Sequence, residues 1–292
     1  MIVLHKAELS LKFRRDNMSK IKIITDTTSY LSKESAMEKD ITVVPLKYVF
    51  GEESYIEGFK GEFDDFFDKL ETTKLFPTTS QPSAGEFYDA YVEAFKKYDE
   101  IIVILLSSKI SGTYSSAVTA ASMLEGKKIS IIDSETAVSN LRTLVEDAYY
   151  MAQEGYKSEE IINAIEEKKK RMKVYLTTGT LEYLRRGGRL SNVQSTLGNL
   201  LNIKPILELK NGEIDLLEKI RGNNKVISTL LSKIPDDVKS ISICHISNLE
   251  EAEKLYNNLL DKYPNAKIGI DEIGPVIGAH LGPKTLGLLF YN

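Results

Sequence analysis

The chain has a single cysteine in 292 residues, so it can neither close an internal disulfide nor build a cysteine-rich metal cluster. Cys244 sits in the apolar run 241–246 and reads as a small strand residue, and the scarcity of thiols fits a reducing, cytoplasmic setting. Excess positive charge is missing too. The formal net charge is −4, which argues against a surface that grips a nucleic-acid backbone. No apolar run approaches the ~18 residues of a membrane-spanning helix, which leaves at most transient membrane contact. The start of the chain lacks a secretory apolar core and cleavage site, and residues 1–17 read as an appended segment ahead of the first strand. There is no Walker-type Gly-Lys-Ser/Thr loop and no histidine pair at ligand spacing. No nucleotide site, metal or resident cofactor is therefore expected from the sequence.

What is present is an alternation of strand-like and helical patterns. Runs at 21–25, 41–48, 101–106 and 128–132 read as strands, while 63–70, 85–97 and 113–124 carry helical spacing, with an acidic loop at 51–61. Residues 101–106 (Ile-Ile-Val-Ile-Leu-Leu) are the pattern of a strand covered on both faces. Such alternation implies a parallel sheet sheathed by helices, with its functional loops at the carboxyl edge. A charged helix at 158–171 leads into a second α/β region. It reads as a strand at 174–178, a small-residue helix reaching Leu201, strands flanking the Asn211-Gly212 turn, helices at 223–234 and 249–263, and strands at 241–246 and 267–273. The expected organisation is an extension over 1–19, an α/β domain over 20–165 and a second over 166–292, with the ligand site at their interface. An apolar helix is expected to close the chain from about Lys284.

Three segments concentrate polar chemistry. Residues 274–283 string small residues, two prolines and His280 together, and so hold an imidazole on inflexible backbone. Residues 78–83 read Thr-Thr-Ser-Gln-Pro-Ser. Residues 107–116 place Ser111-Gly112-Thr113 where a parallel strand ends and a helix begins, with free N–H groups and hydroxyls suited to an anion. Asp26, Asp133 and Ser134 also stand at strand ends, where Asp and Ser ordinarily cap the following turn. Arg185, Arg186, Arg189 and Arg221 with Lys204 form a basic constellation, read as solvated surface or internal carboxylate pairs.

These motifs resemble the DegV family, whose characterised members include the fatty-acid-binding subunit of bacterial fatty acid kinase. The likeness runs from about Ile21 to Tyr291 through Thr25-Asp26-Thr27-Thr28, Thr79-Ser80-Gln81-Pro82-Ser83, Ser111-Gly112-Thr113-Tyr114-Ser115-Ser116-Ala117, Leu181-Glu182-Tyr183-Leu184-Arg185-Arg186-Gly187-Gly188-Arg189, Asn202-Ile203-Lys204-Pro205-Ile206 and His280-Leu281-Gly282-Pro283. The resemblance implies a long-chain fatty acid whose carboxylate meets Thr79, Ser111 and His280, with backbone donors from Gly112 and Thr113 and with Asp26, Ser134 and Leu281 in the vicinity. It further implies presentation of that ligand to a separate ATP-dependent kinase for acyl-phosphate formation, feeding phospholipid synthesis, with Arg189 and Arg221 as docking residues. The chain departs from the family pattern at Ser139-Asn140-Leu141-Arg142, at Leu281, which lacks a hydroxyl, and at Lys284, which adds a charge. Two other readings remain open at this level. One is capture of a small ketone by His280, as in the dihydroxyacetone kinase subunit that the family resembles in fold. The other is a serine hydrolase built on Ser111, His280 and Asp133, although no Gly-x-Ser-x-Gly elbow surrounds Ser111.

Overall fold

Strand β1 (Ile21–Asp26) and strand β6 (Glu100–Leu105) are almost wholly buried runs of β-branched residues, and they form the centre of a four-stranded parallel sheet. The computed structural model describes residues 19–73, 75–189 and 204–292. In the sheet β2 (Thr42–Val44) and β7 (Lys128–Asp133) take the edges, giving the order β2-β1-β6-β7. Helices α3 (Ala84–Ala94) and α4 (Thr113–Ser122) cover one face, where Phe87, Tyr91, Ala117 and Ala120 pack on Ile24, Ile101 and Val103. Ser83 caps α3 through a capping box with Glu86, which fixes where the Thr-Ser-Gln-Pro-Ser segment stops and the helix starts.

The run at 41–48 is two strands, because Pro45 between them has no N–H to continue a ladder. After it the chain leaves the parallel sheet, and β3 (Lys47–Phe50), β4 (Glu53–Ile56) and β5 (Thr78–Ser80) make a small antiparallel sheet. Within that sheet Thr79 pairs with Tyr48. Two short helices, α1 (Lys33–Glu38) and α2 (Asp64–Thr72), complete this part.

The longest helix among the described residues, α5 (Val138–Glu154), has no counterpart in the sequence reading. Its first turns bury the polar residues Ser139 and Asn140 alongside Val138 and Leu141, which obscures the amphipathic period. It lies against β1, β6 and the last strand, β13 (Thr285–Tyr291), and so joins two sheets. After α6 (Ser158–Lys169) the chain enters a six-stranded sheet built from β8 (Met172–Thr177), β9 (Lys204–Lys210), β10 (Glu213–Ile220), β11 (Ser240–Ile246), β12 (Lys267–Glu272) and β13. Its order is β10-β9-β8-β13-β11-β12, antiparallel apart from the parallel β11–β12 pair. Helices α8 (Asn223–Ser232) and α9 (Leu249–Lys262) cover its outer face, while the inner face turns toward α5 and the first sheet. Short helices α7 (Glu182–Arg186) and α10 (Pro275–Leu281) carry the basic and histidine segments. The mixed α/β fold with a parallel sheet and a second sheet-rich region agrees with the sequence reading.

One element is corrected. The expected apolar helix from Lys284 is strand β13, hydrogen-bonded on both sides to β8 and β11. A strand buried on both faces shows no alternation, so its apolar run looks the same as a short buried helix. Lys284 consequently opens no helix; it is exposed in the turn ahead of β13 with φ +59. Residues 1–18 and the segment where a small-residue helix reaching Leu201 is expected from sequence lie outside the described residues.

Candidate functional site

A cavity of about 360 Å³ lies between the inner face of the six-stranded sheet, the carboxyl end of the parallel sheet and helix α10. Most of its wall is aliphatic, including Leu46, Leu106, Ile110, Val138, Val174, Leu176, Ile273, Val276 and Leu289. The polar exceptions come chiefly from the segments singled out in the sequence: Thr79, Ser80 and Gln81, Ser111, Arg189 and His280. An apolar enclosure with a few converging polar groups suits an amphiphile.

His280 stands in the last turn of α10, and its Nε2 is 2.8 Å from Thr79 Oγ1. Burial, aided by the charge of Arg189, pushes its pKa down to about 4, so the imidazole is neutral at physiological pH. Its Nδ1 is buried without a hydrogen-bond partner and lies against Gly187, where a Cβ would sit 2.2 Å from it. This explains the first glycine of the Arg-Arg-Gly-Gly-Arg motif, since any side chain there would displace the imidazole. Gly282 ends α10 at φ +75 with the ring of Tyr183 where a Cβ would be, so the backbone after His280 is held in a conformation that other residues resist.

Ser111 follows a tight turn in which the N–H groups of Ile110 and Ser111 both donate to the Ser107 carbonyl. Its hydroxyl is 2.9 Å from Thr113 Oγ1 and accepts from the Thr113 N–H. Gly112 begins α4 without a side-chain cap, and a Cβ there would fall 2.0 Å from Gln81 Oε1. Gln81 in turn donates to Ser116 Oγ at 3.0 Å, so the two polar loops interlock. The Ser107 hydroxyl donates to the Gly212 carbonyl at 2.8 Å, fastening the β9–β10 turn onto this loop.

Of the residues named from the sequence, Thr79, Ser111, Arg189, His280 and Leu281 therefore reach one cavity. Gly112 lines an adjoining polar cleft of about 350 Å³ together with Lys109, Ser111 and Arg189. Thr113 is fully buried beneath the loop. Asp26 and Ser134 serve turns. Asp26 accepts from the Thr28 N–H and hydroxyl and from the Leu106 N–H, and burial outweighs those bonds to push its pKa up to about 6. Ser134 accepts from the Thr136 N–H and donates to the Thr136 carbonyl. Arg189, read as a docking residue, is half-buried on the wall of both the cavity and the adjoining cleft. It donates to the carbonyls of Ile110 and Gly187, and burial lowers its pKa below the usual guanidinium value. Arg221 is exposed after β10, away from the cavity wall. Arg185 and Arg186 both pair with Glu182, the internal carboxylate pairing anticipated for them.

Neither alternative chemistry is assembled. Asp133 accepts from the N–H and hydroxyl of Ser108 and from the Glu135 N–H, and His280 Nε2 is taken by Thr79, so no Ser111–His280–Asp133 relay exists. The cavity that His280 lines is mostly apolar, whereas capture of a small ketone calls for a small polar pocket around that histidine. Sequence reasoning missed Glu57. It is buried, and its Oε1 accepts from the Val276 N–H at 2.8 Å, tethering the start of the helix that carries His280. An acid in the acidic loop 51–61 looked like solvated surface, and no local pattern marks it otherwise.

A family model described as an uncharacterised protein of the DegV family matches residues 20–292. The chain belongs to the DegV family. A DegV domain-containing protein of Halalkalibacterium halodurans is 39% identical over 280 residues, covering 94% of this chain and 99% of the relative. Among solved structures, DegV from Bacillus subtilis, a fatty acid binding protein, superposes on this DegV-family chain with a TM-score of 0.86 at 36% identity, covering 94% of this chain and 100% of that one. A DegV family protein from Thermus thermophilus, described for its fatty acid binding, gives a TM-score of 0.85 at 30% identity, with 94% and 99% covered. No helix among the described residues is long and apolar enough to cross a membrane.

Proposed function

We propose that the chain binds a long-chain fatty acid, with its carboxylate at Thr79, Ser111, His280 and Arg189 and its acyl chain in the apolar cavity. The observation that carries this reading is the composition of the cavity wall, mostly aliphatic, with Thr79, Ser80, Gln81, Ser111, Arg189 and His280 as its chief polar residues. A half-buried guanidinium bonded to carbonyls gains from an incoming carboxylate, whose charge would also favour the protonated form of the neutral His280 imidazole. The fatty-acid-binding relatives support the same assignment.

The energetics divide the labour. At ~0.8 kcal/mol per buried methylene, a tail of about 14 methylenes contributes roughly 11 kcal/mol before ordering costs. Each charge-assisted hydrogen bond at the head adds about 1.5–3 kcal/mol. Affinity comes from the tail, and the polar group sets where the carboxylate stops. A ligand held this way is suited to a separate ATP-dependent kinase, since the carboxylate oxygen itself is the nucleophile toward a γ-phosphoryl group and the binding protein needs only to position it. The polar cleft shares Ser111 and Arg189 with that end of the cavity, and Arg221, which is exposed, is assigned to kinase docking in this reading.

Equilibrium titration with a long saturated fatty acid and with dihydroxyacetone tests the binding reading. Saturable binding of the former alone is expected, and the reverse result overturns it. With a fatty acid kinase present, Arg221→Ala should slow acyl-phosphate formation and leave lipid affinity unchanged; unchanged turnover removes Arg221 from the docking surface.

A further inference from the structure

We propose that Gly287, at the centre of β13, sets the length and bulk of the acyl chain the cavity accepts, an inference that rests on the fatty-acid reading above. Strand β13 reads Thr-Leu-Gly-Leu-Leu-Phe-Tyr, and Gly287 is its one residue without a side chain. The strand alternates cleanly. Leu286, Leu288 and Phe290 pack outward beneath α8 and α9, while Thr285, Gly287 and Leu289 face the cavity. In the ladder Gly287 lies between Leu176 on β8 and Cys244 on β11, and all three line the cavity. The inner face of the sheet thus carries a notch one side chain wide, walled by Leu176 and Cys244 and bounded along the strand by Thr285 and Leu289.

The reason for a glycine here differs from that at the other site glycines. At Gly112, Gly187 and Gly282 a Cβ would collide with protein atoms at 2.0–2.3 Å. At Gly287 the nearest atoms to a Cβ are Leu176 Cβ at 3.4 Å, the Tyr175 carbonyl at 3.5 Å and Leu289 Cδ1 at 3.7 Å, which are ordinary contacts. Nor does the backbone need glycine, because Gly287 is not among the residues with positive φ. Glycine weakens a central strand and a β-branched residue strengthens it. The protein's own packing therefore does not demand the missing side chain. What does is the space in front of it, which a Cβ and its substituents would fill.

The test compares wild type with Gly287→Ala, Gly287→Val and Gly287→Leu by melting temperature and by affinity for straight-chain saturated fatty acids of increasing length. Each methylene lost from the cavity costs about fourfold in affinity, from ~0.8 kcal/mol per methylene. Valine, displacing two to three methylenes, should weaken the longest chains roughly 15- to 60-fold, leave short chains unchanged and keep or raise the melting temperature. Alanine, which meets only ordinary contacts, should weaken the longest chain about fourfold and keeps the test valid if the bulkier variants do not fold. An unchanged chain-length profile in folded Ala and Val variants overturns the proposal. So does equal weakening of short and long chains, which would mark a general structural role. Failure of wild type to bind any fatty acid would instead overturn the functional reading.

Discussion

At the scale of single residues, the site is governed by what burial does to a few titratable groups. His280, with a pKa of about 4, is uncharged in the empty protein, and an arriving carboxylate beside it favours the imidazolium. Nuclear magnetic resonance titration should find this histidine well below the ordinary 6.5 without ligand and raised once a fatty acid is bound; an unmoved value would separate His280 from the head group. Glu57 behaves in the opposite sense. Burial, with a smaller push from the Asp26 charge, raises it from 4.5 to about 7 against the hydrogen bonds it accepts from Thr27 and the Val276 N–H. The folded state then holds a proton that the unfolded state has released, so stability falls as pH rises from about 4.5 to 7. Glu57→Gln should leave stability at pH 5 nearly unchanged and raise it at pH 8 by on the order of 2–3 kcal/mol, flattening the pH dependence of the denaturation midpoint. A variant no more stable than wild type at pH 8 would contradict this. Thr79, Ser111 and His280 were legible as chemistry because Ser, Thr and His among small residues are unusual company; Glu57 was not, since an acid in an acidic loop has no local mark of burial.

At the scale of elements, helix α5 ties the parallel sheet to the six-stranded one through an ion cluster. Arg142 Nη2 lies 2.6 Å from Asp271 Oδ2 on β12; that oxygen also accepts from Ser242 and Oδ1 accepts from Lys60, while Asn140 donates to the Lys173 carbonyl on β8. The departure from the family pattern at 139–142 is thus a set of cross-sheet contacts. Burial alone would raise the Asp271 pKa, but the Arg142 charge and these bonds hold it at about 2. This stabilisation is complete above the unfolded value of 3.8 and is lost as pH falls toward 2. Asp271→Asn leaves Arg142 without its counter-charge and should lower unfolding free energy by about 3–5 kcal/mol in chemical denaturation at pH 7; a loss below 1 kcal/mol would show the pair to be dispensable. Elements with a strong local period were readable from sequence, as with α3, α4, α9 and the Asn211-Gly212 hairpin. Those whose character depends on partners were not. Strand β13 is apolar on both faces because β8, β11, α5, α8 and α9 surround it, and α5 begins with polar residues because it faces the other sheet.

At the scale of the whole molecule, the cavity exists because two sheets face each other across a single helix and neither inner surface is fully covered. Their loops then meet at one end, with 107–113 from the parallel sheet, 79–81 from the small sheet and α10 with Arg189 from the second half. Sequence could name the three loops, since each gathers Ser, Thr or His among small residues, and family likeness implied their convergence. It could not place the cavity floor, which is written in residues far apart in the chain such as Leu46, Leu176 and Gly287. The central claim is that this cavity holds a fatty acid. Its most direct test is organic extraction of the protein purified from cells, followed by lipid mass spectrometry. The account predicts a long-chain fatty acid at close to one per protein molecule, greatly reduced in Gly287→Leu; an extract free of fatty acids, or one holding only small polar carbonyl compounds, would contradict it.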